Sequence, residues 1–204
     1  MKKYIWRAVG VIVVVYFGLV LVRMVHFYRQ GKTDEQVAKI HATKLTIDDV
    51  MGKGLSTLSG VEGPDAGVVG LDVNKNGIRD DVELAIFKAY PNSARTRAVL
   101  LQYALALQME MTQPIVNTET VTAVIEAGER ADSCLANTLV PRKSPESSRS
   151  NNDIERIDTF LKFVEDRQIN SDLRRKAHRD FYKLVGSHTV PIDYCDLDIL
   201  VLPN

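Results

Sequence analysis

Residues 8–22 read AVGVIVVVYFGLVLV, a run with neither a charge nor an amide, closed at its ends by Arg7 and Arg23. A helix rises about 1.5 Å per residue and the hydrocarbon layer of a bilayer is about 30 Å thick, so a spanning helix needs about 20 apolar residues. The run reaches that length when Tyr4, Ile5 and Trp6 on one side and Met24, Val25, Phe27 and Tyr28 on the other are added. Both arginines can then extend to the headgroups. Tyr4, Trp6, Phe27 and Tyr28 fall where aromatic side chains settle at membrane interfaces. A cleaved secretory signal ends in small residues of the A-x-A type, whereas this run continues as LVRMVHFYRQ. Residues 1–30 are therefore expected to be an uncleaved signal anchor, a transmembrane helix. A Val-rich rod buried in a soluble core would instead need a partner surface on every face. Lys2, Lys3 and Arg7 precede the span while Arg23, Arg29 and Lys32 follow it, so the positive-inside count is a draw.

The chain has 204 residues with 26 basic and 26 acidic side chains, and the net charge of zero hides an asymmetry. Residues 1–30 carry five basic groups and no acid, which leaves residues 31–204 at −5. A mildly acidic body has no basic face with which to displace counterions from phosphates, and nucleic acid is set aside as a partner. The length suits one domain behind a short extension.

The rest of the chain reads as mainly α, a small helical bundle. Thr33 with Gln36 three residues on has the form of a capping box, and a stalk helix carrying Val37 and Ile40 is expected to start there. Residues 52–70 hold seven of the chain's Gly and Pro residues, too many for a regular element. Residues 31–70 are thus a stalk and a Gly-rich loop, and residues 71–204 the helical domain. Helices are expected over 80–90, stopped by Pro91, over 93–112, whose centre AVLLQYALAL is apolar almost all round except for Gln102, and over 118–135. PRKSPESSRS, residues 141–150, is a polar linker. Ile154, Ile157, Phe160, Leu161 and Val164 repeat at helical spacing, and Ser171 and Asp172 cap a last helix that Gly186 ends. The tail from Thr189 to Leu202 is expected to be extended.

Chemistry concentrates in residues 72–83, DVNKNGIRDDVE. Counting Asp72 as position 1, oxygen ligands fall at positions 1, 3, 5, 9 and 12 as Asp72, Asn74, Asn76, Asp80 and Glu83, with Gly77 at position 6. Calcium takes six to eight oxygens at about 2.3–2.6 Å, and alternate residues of a tight loop can aim their side chains inward to supply them. Gly77 permits the sharp turn, Ile78 can offer its backbone carbonyl, and Glu83 can close the cage with both oxygens. Magnesium, which prefers a rigid octahedron with several waters, suits the set less well. Three carboxylates against nearby Lys75 and Arg79 imply weak binding, on the order of 10⁻⁴–10⁻³ M.

A site that weak would be empty in a cytosol holding little calcium, which favours a body outside the membrane. Cys134 and Cys195 agree. An even count in an exported domain predicts one disulfide joining the third body helix to the tail, closing 61 residues, and stabilising by about 4 kcal/mol through chain entropy.

The loop resembles EF-hand loops, with two departures. Arg79 stands at position 8, where a paired EF-hand places an aliphatic residue, and no good helix precedes Asp72. The pattern N-G-I-x-D-D-x-E looks more like the single exported loops of thrombospondin type 3 and dockerin-like sequences, which implies a structural site. The stretch from Lys44 to about Gln113, with KLTIDDVMGKGL ahead of the loop, together with PIDYCDLDI near the end, resembles a family of uncharacterised, membrane-anchored bacterial proteins with one calcium-type loop. That resemblance implies no catalytic residue.

The sequence contains no H-E-x-x-H, C-x-x-C, P-loop or G-x-S-x-G pattern. Cys195 with His188 would make a thiol dyad only if the cysteine were free. The acid pairs Asp48/Asp49 and Asp80/Asp81 resemble glycosidase carboxylates only by adjacency. His178 among Arg174, Arg175, Lys176 and Arg179 reads as a solvated face, able at most to meet an anionic lipid or an acidic partner. The leading expectation is a calcium-binding, membrane-anchored extracytoplasmic domain with a structural or binding role at the cell surface, its partner an unknown protein or envelope component. The alternatives are a membrane-anchored envelope hydrolase assembled from scattered residues, favoured by a deep cleft with converging Asp, His or Tyr, and a cytosolic sensor with free thiols. Gly10 and Gly18 are too sparse to specify pairing of the anchor.

Overall fold

A computed structural model describes residues 2–55, 67–144, 147–189 and 194–203. Most of the Gly-rich segment, part of the 141–150 linker and the start of the tail lie outside these residues. The described residues form seven α-helices and one 3₁₀ turn, with no strand among them.

The first helix, α1 (Lys2–Ala42), is unbroken over 41 residues, about 60 Å. Its apolar part projects free of the body, and from Val9 it is long and apolar enough to cross a membrane, with none of its most apolar stretch buried. The helix expected to begin at Thr33 does not begin there. Thr33 lies inside α1 and donates its hydroxyl back to the carbonyl of Arg29, one turn earlier, at 3.2 Å. A capping threonine must leave helical geometry, and here the same hydroxyl is used within the helix and accepts from Asn117 Nδ2 at 2.9 Å. The expected boundary at residue 30/31 thus falls within one rigid rod.

A short helix not anticipated from the sequence, α2 (Ile47–Val50), follows, with Thr46 and Asp49 closing a capping box. Next come α3 (Asp80–Ala89), α4 (Ala94–Thr112), α5 (Thr118–Leu139), α6 (Asn151–Gln168) and α7 (Asp172–Tyr182). Ser93, Asn117, Ser150 and Ser171 cap the last four, each side chain accepting from a backbone N–H in the first turn. α5 runs one turn beyond its expected end. α7 stops at Tyr182, four residues before Gly186, and Lys183 closes it without a glycine.

α4 is the centre, buried from Ala98 to Glu110 without a break. α5, α6, α7 and α3 pack around it, and α1 docks its last turns on α5 through Val37 and Ile40. The exceptional Gln102 has a role in this packing. Its amide donates to the Tyr194 carbonyl at 2.8 Å and accepts from Asp196 N at 3.0 Å, holding the tail to the core. The tail is also fixed by Asp196, which pairs with Arg130 at 2.8 Å and accepts from Leu45 N at 3.0 Å.

Cys134 on α5 is disulfide-bonded to Cys195, a link closing 61 residues. Replacing both cysteines with alanine should cost about 4 kcal/mol, because the unfolded chain regains the entropy the bridge removes. A urea midpoint unchanged in the double variant would contradict this.

Candidate metal centre

The loop of residues 72–83 is built by backbone turns that only certain residues permit. Gly77 has φ +86° and its missing Cβ would lie 2.9 Å from Leu105 of α4, so a side chain there would be both strained and crowded. Asp72 shapes the turn, its two carboxylate oxygens accepting from Asn76 N at 3.2 Å and Gly77 N at 2.9 Å. Asn76 Oδ1 accepts from Ile78 N at 2.9 Å. The Ile78 side chain is fully buried and pins the loop to the core. Asp80, Asp81 and Glu83 occupy the first turn of α3, where acids complement the helix dipole.

Glu83 is 1% exposed. Its oxygens accept from Asn76 Nδ2 at 2.7 Å and Asn74 Nδ2 at 3.3 Å. Burial pushes the Glu83 carboxyl up to about 7 despite these two bonds, and the charges of Asp80 and Asp49 add to the shift. Asp80 Oδ1 accepts from Val73 N at 3.1 Å, whereas its Oδ2 is buried without a hydrogen-bond partner. A buried carboxylate oxygen left unpaired is costly, and it is the feature that most directly fits a cation. The structure therefore brings Asp72, Asn74, Asn76, Asp80 and Glu83 into one linked turn.

Asp49 joins them from α2, its Oδ1 accepting from Asn76 Nδ2 at 3.1 Å. It was missed because it lies 23 residues before the loop. Its only signal was the Thr46/Asp49 capping spacing, which places a carboxylate at the start of a short helix. Asp48, its supposed partner in a carboxylate pair, instead meets Lys53 on the surface. Arg79, the departure at position 8, is 1% exposed and donates to the Gln168 carbonyl at 3.1 Å, while pairing with Asp81. It ties the loop to the end of α6, which no strand partner does here.

Among the described residues, no three His, Cys, Asp or Glu side chains form a ready-made metal cluster. A loop of this kind also draws on asparagine and backbone oxygens. Both asparagine side chains now turn their NH₂ groups to Glu83, so a bound cation would require them to present oxygen instead.

The other groups considered from sequence separate. Cys195 is in the disulfide, which removes the dyad with His188; that imidazole lies 3.6 Å from Glu129. The basic face of α7 is only partly solvated, contrary to expectation. Arg174 is buried and donates to the carbonyls of Gly67 at 2.9 Å and Val68 at 3.3 Å. His178 Nε2 stands 3.1 Å from Glu110, because residues 174, 178 and 181 share the inner face of the helix. Glu110, raised by burial and restrained by His178, borders a cavity of about 90 Å³ with Tyr103, Asp132 and Tyr182. A larger hollow, about 260 Å³, lies between α1 and α5. Both are below the roughly 300–1,000 Å³ of small-molecule sites.

Comparison with family models, curated proteins and solved structures found no match to the chain.

Glu83 makes the fold sensitive to pH. A carboxyl whose folded value is raised from 4.5 to about 7 stabilises the fold fully below pH 4.5 and loses that contribution as pH rises through 7. In a chelator, stability should therefore fall by up to about 3 kcal/mol between these limits on account of this group. Glu83→Gln should flatten that part of the profile, and an unaltered slope in denaturant melts would refute the assignment.

Proposed function

We propose that the chain is a membrane-anchored extracytoplasmic domain that binds one calcium ion as a structural element and serves a binding or supporting role at the cell surface. The observation that carries the reading is the buried, unpartnered Oδ2 of Asp80, inside a loop whose remaining oxygen ligands have the right spacing. Asp72, Asn74, Asn76, Asp80 and Glu83, with the Ile78 carbonyl, would hold the ion, and Asp49 would add a fourth carboxylate nearby. The ion would supply positive charge where a buried carboxylate is otherwise disfavoured. The likeness to single exported loops supports a structural use over sensing.

Placement outside the cytosol draws on two further features. The apolar α1 fits a membrane anchor, and a disulfide joins α5 to the tail. Such bridges persist mainly in oxidising compartments. A weak calcium site is also useful only where calcium is plentiful.

One observation favours the second reading, an anchored envelope hydrolase: Glu110, His178, Tyr182 and Tyr103 converge between α4 and α7. Their small cavity and the mutual pairing of Glu110 with His178 suit a buried structural network better than a substrate cleft.

The test is a thermal melt of the full oxidised chain in detergent, with chelator and then with 10 mM calcium. For a dissociation constant of about 10⁻⁴ M, linkage gives about 2.7 kcal/mol, and so a rise in Tm of roughly 5–10 °C. The rise should vanish in Asp72→Ala and shrink in Asp49→Ala. No rise in the unaltered protein would sink the calcium reading.

A further inference from the structure

We propose that the connection between α4 and α5, residues 113–117, is a second membrane contact, which lays an apolar corner on the lipid headgroups beside the anchor. The inference rests on the reading of α1 as a spanning helix and adds a surface of the body to it.

The register of α1 against the body sets the height of this corner. Thr33 is hydrogen-bonded to Asn117 at 2.9 Å, and Gln36 to Gln113 at 3.0 Å. Further along, just past the end of α1, Leu45 N and Arg130 of α5 meet the same Asp196 carboxylate, at 3.0 and 2.8 Å. α1 and α5 therefore run in parallel, with residues 113–117 at the end nearest the bilayer. A span bounded by the aromatic side chains Tyr4 and Trp6 on one side and Phe27 and Tyr28 on the other ends at Tyr28. Thr33 is five residues later, about 7.5 Å along the axis, and the headgroup layer is itself about 5–7 Å deep. The corner thus stands at the outer edge of the headgroups, and any tilt of α1 towards α5 brings it in.

Its composition fits that position. Residues 111–118 read MTQPIVNT, with no charge. Pro114 is exposed, Ile115 is half-buried and Val116 is 49% exposed. The segment is held in shape, since Val116 N and Asn117 N both donate to the Thr120 hydroxyl, at 3.0 and 3.1 Å. A preformed apolar corner loses little freedom on touching lipid. The segment itself carries no charge and the residue that follows it most closely, the exposed Glu119, is acidic, so its own attraction to lipid is apolar and does not depend on anionic headgroups.

The experiment uses the full chain in phosphatidylcholine nanodiscs. There is no free cysteine among the described residues, and both cysteines of the chain are in the disulfide, so Val116→Cys gives a single site for an environment-sensitive dye. Val201→Cys is the reference, 74% exposed at the opposite end of the bundle, where Pro203 accepts from Arg95 N in the first turn of α4. The dye at 116 should emit to the blue of the dye at 201 and be quenched by headgroup-labelled lipid, in zwitterionic and anionic discs alike. Trp6, the chain's sole tryptophan, reports the anchor separately. Quenching of Trp6 with a dye at 116 that behaves like the one at 201 would overturn the contact and leave the anchor standing. Escape of Trp6 from lipid quenchers would overturn both.

Discussion

Burial of α4 on every side is the constraint from which the rest of the body follows. A helix with one apolar stripe needs one neighbour, whereas AVLLQYALAL needs a ring of them. Four polar side chains of α4, Arg97, Gln102, Gln108 and Glu110, are buried with it, and each must find a partner there. Arg97 donates to the carbonyls of Val50, Tyr90 and Pro91. Gln102 takes the tail. Gln108 donates to the Val69 carbonyl just before the loop, and accepts from Gln168. Glu110 meets His178. The core helix thus fixes irregular segments through its few polar groups, while Leu105 sets the space in which the Gly77 turn must lie.

Much of this was legible because the signals were local. Ser171 stands where a side chain can cap the next turn, and the apolar spacing around Ile157 and Val164 has one helical reading. The loop motif was legible as a list of oxygen ligands at fixed intervals. What escaped depended on a distant partner. Thr33 has the local form of a cap, but Asn117, 84 residues away, takes its hydroxyl and the helix continues. Asp49 reaches the loop only because α2 packs beside it. His178 looked solvated among four basic neighbours, since charge density in sequence does not say which side of a helix meets a buried acid. Arg79 looked like a charge that weakens the loop, and its buried guanidinium instead holds the loop to α6.

The continuous α1 changes what the anchor means for the body. A flexible stalk would let the domain sample any orientation, but a single helix docked on α5 fixes one. In that orientation the loop faces Leu105, two turns of α4 back from its C-terminal end. With α1 spanning a bilayer as proposed, the candidate metal centre would be held off the bilayer surface and the uncharged corner turned to it.

The loop and the disulfide are linked through stability. Small domains have only about 5–15 kcal/mol in hand, and an unpaired buried carboxylate takes a few of these. The bridge between α5 and the tail contributes about 4 kcal/mol by itself, enough to offset that loss while the loop is without a cation. If calcium binds as proposed, a reduced body without calcium would lose both contributions at once. On the proposed reading, the two conditions that restore them, an oxidant and abundant calcium, occur together outside the cytosol and not within it. The fold would then be strongest only after export, and the burial of Asp80 and Glu83 would be the physical reason.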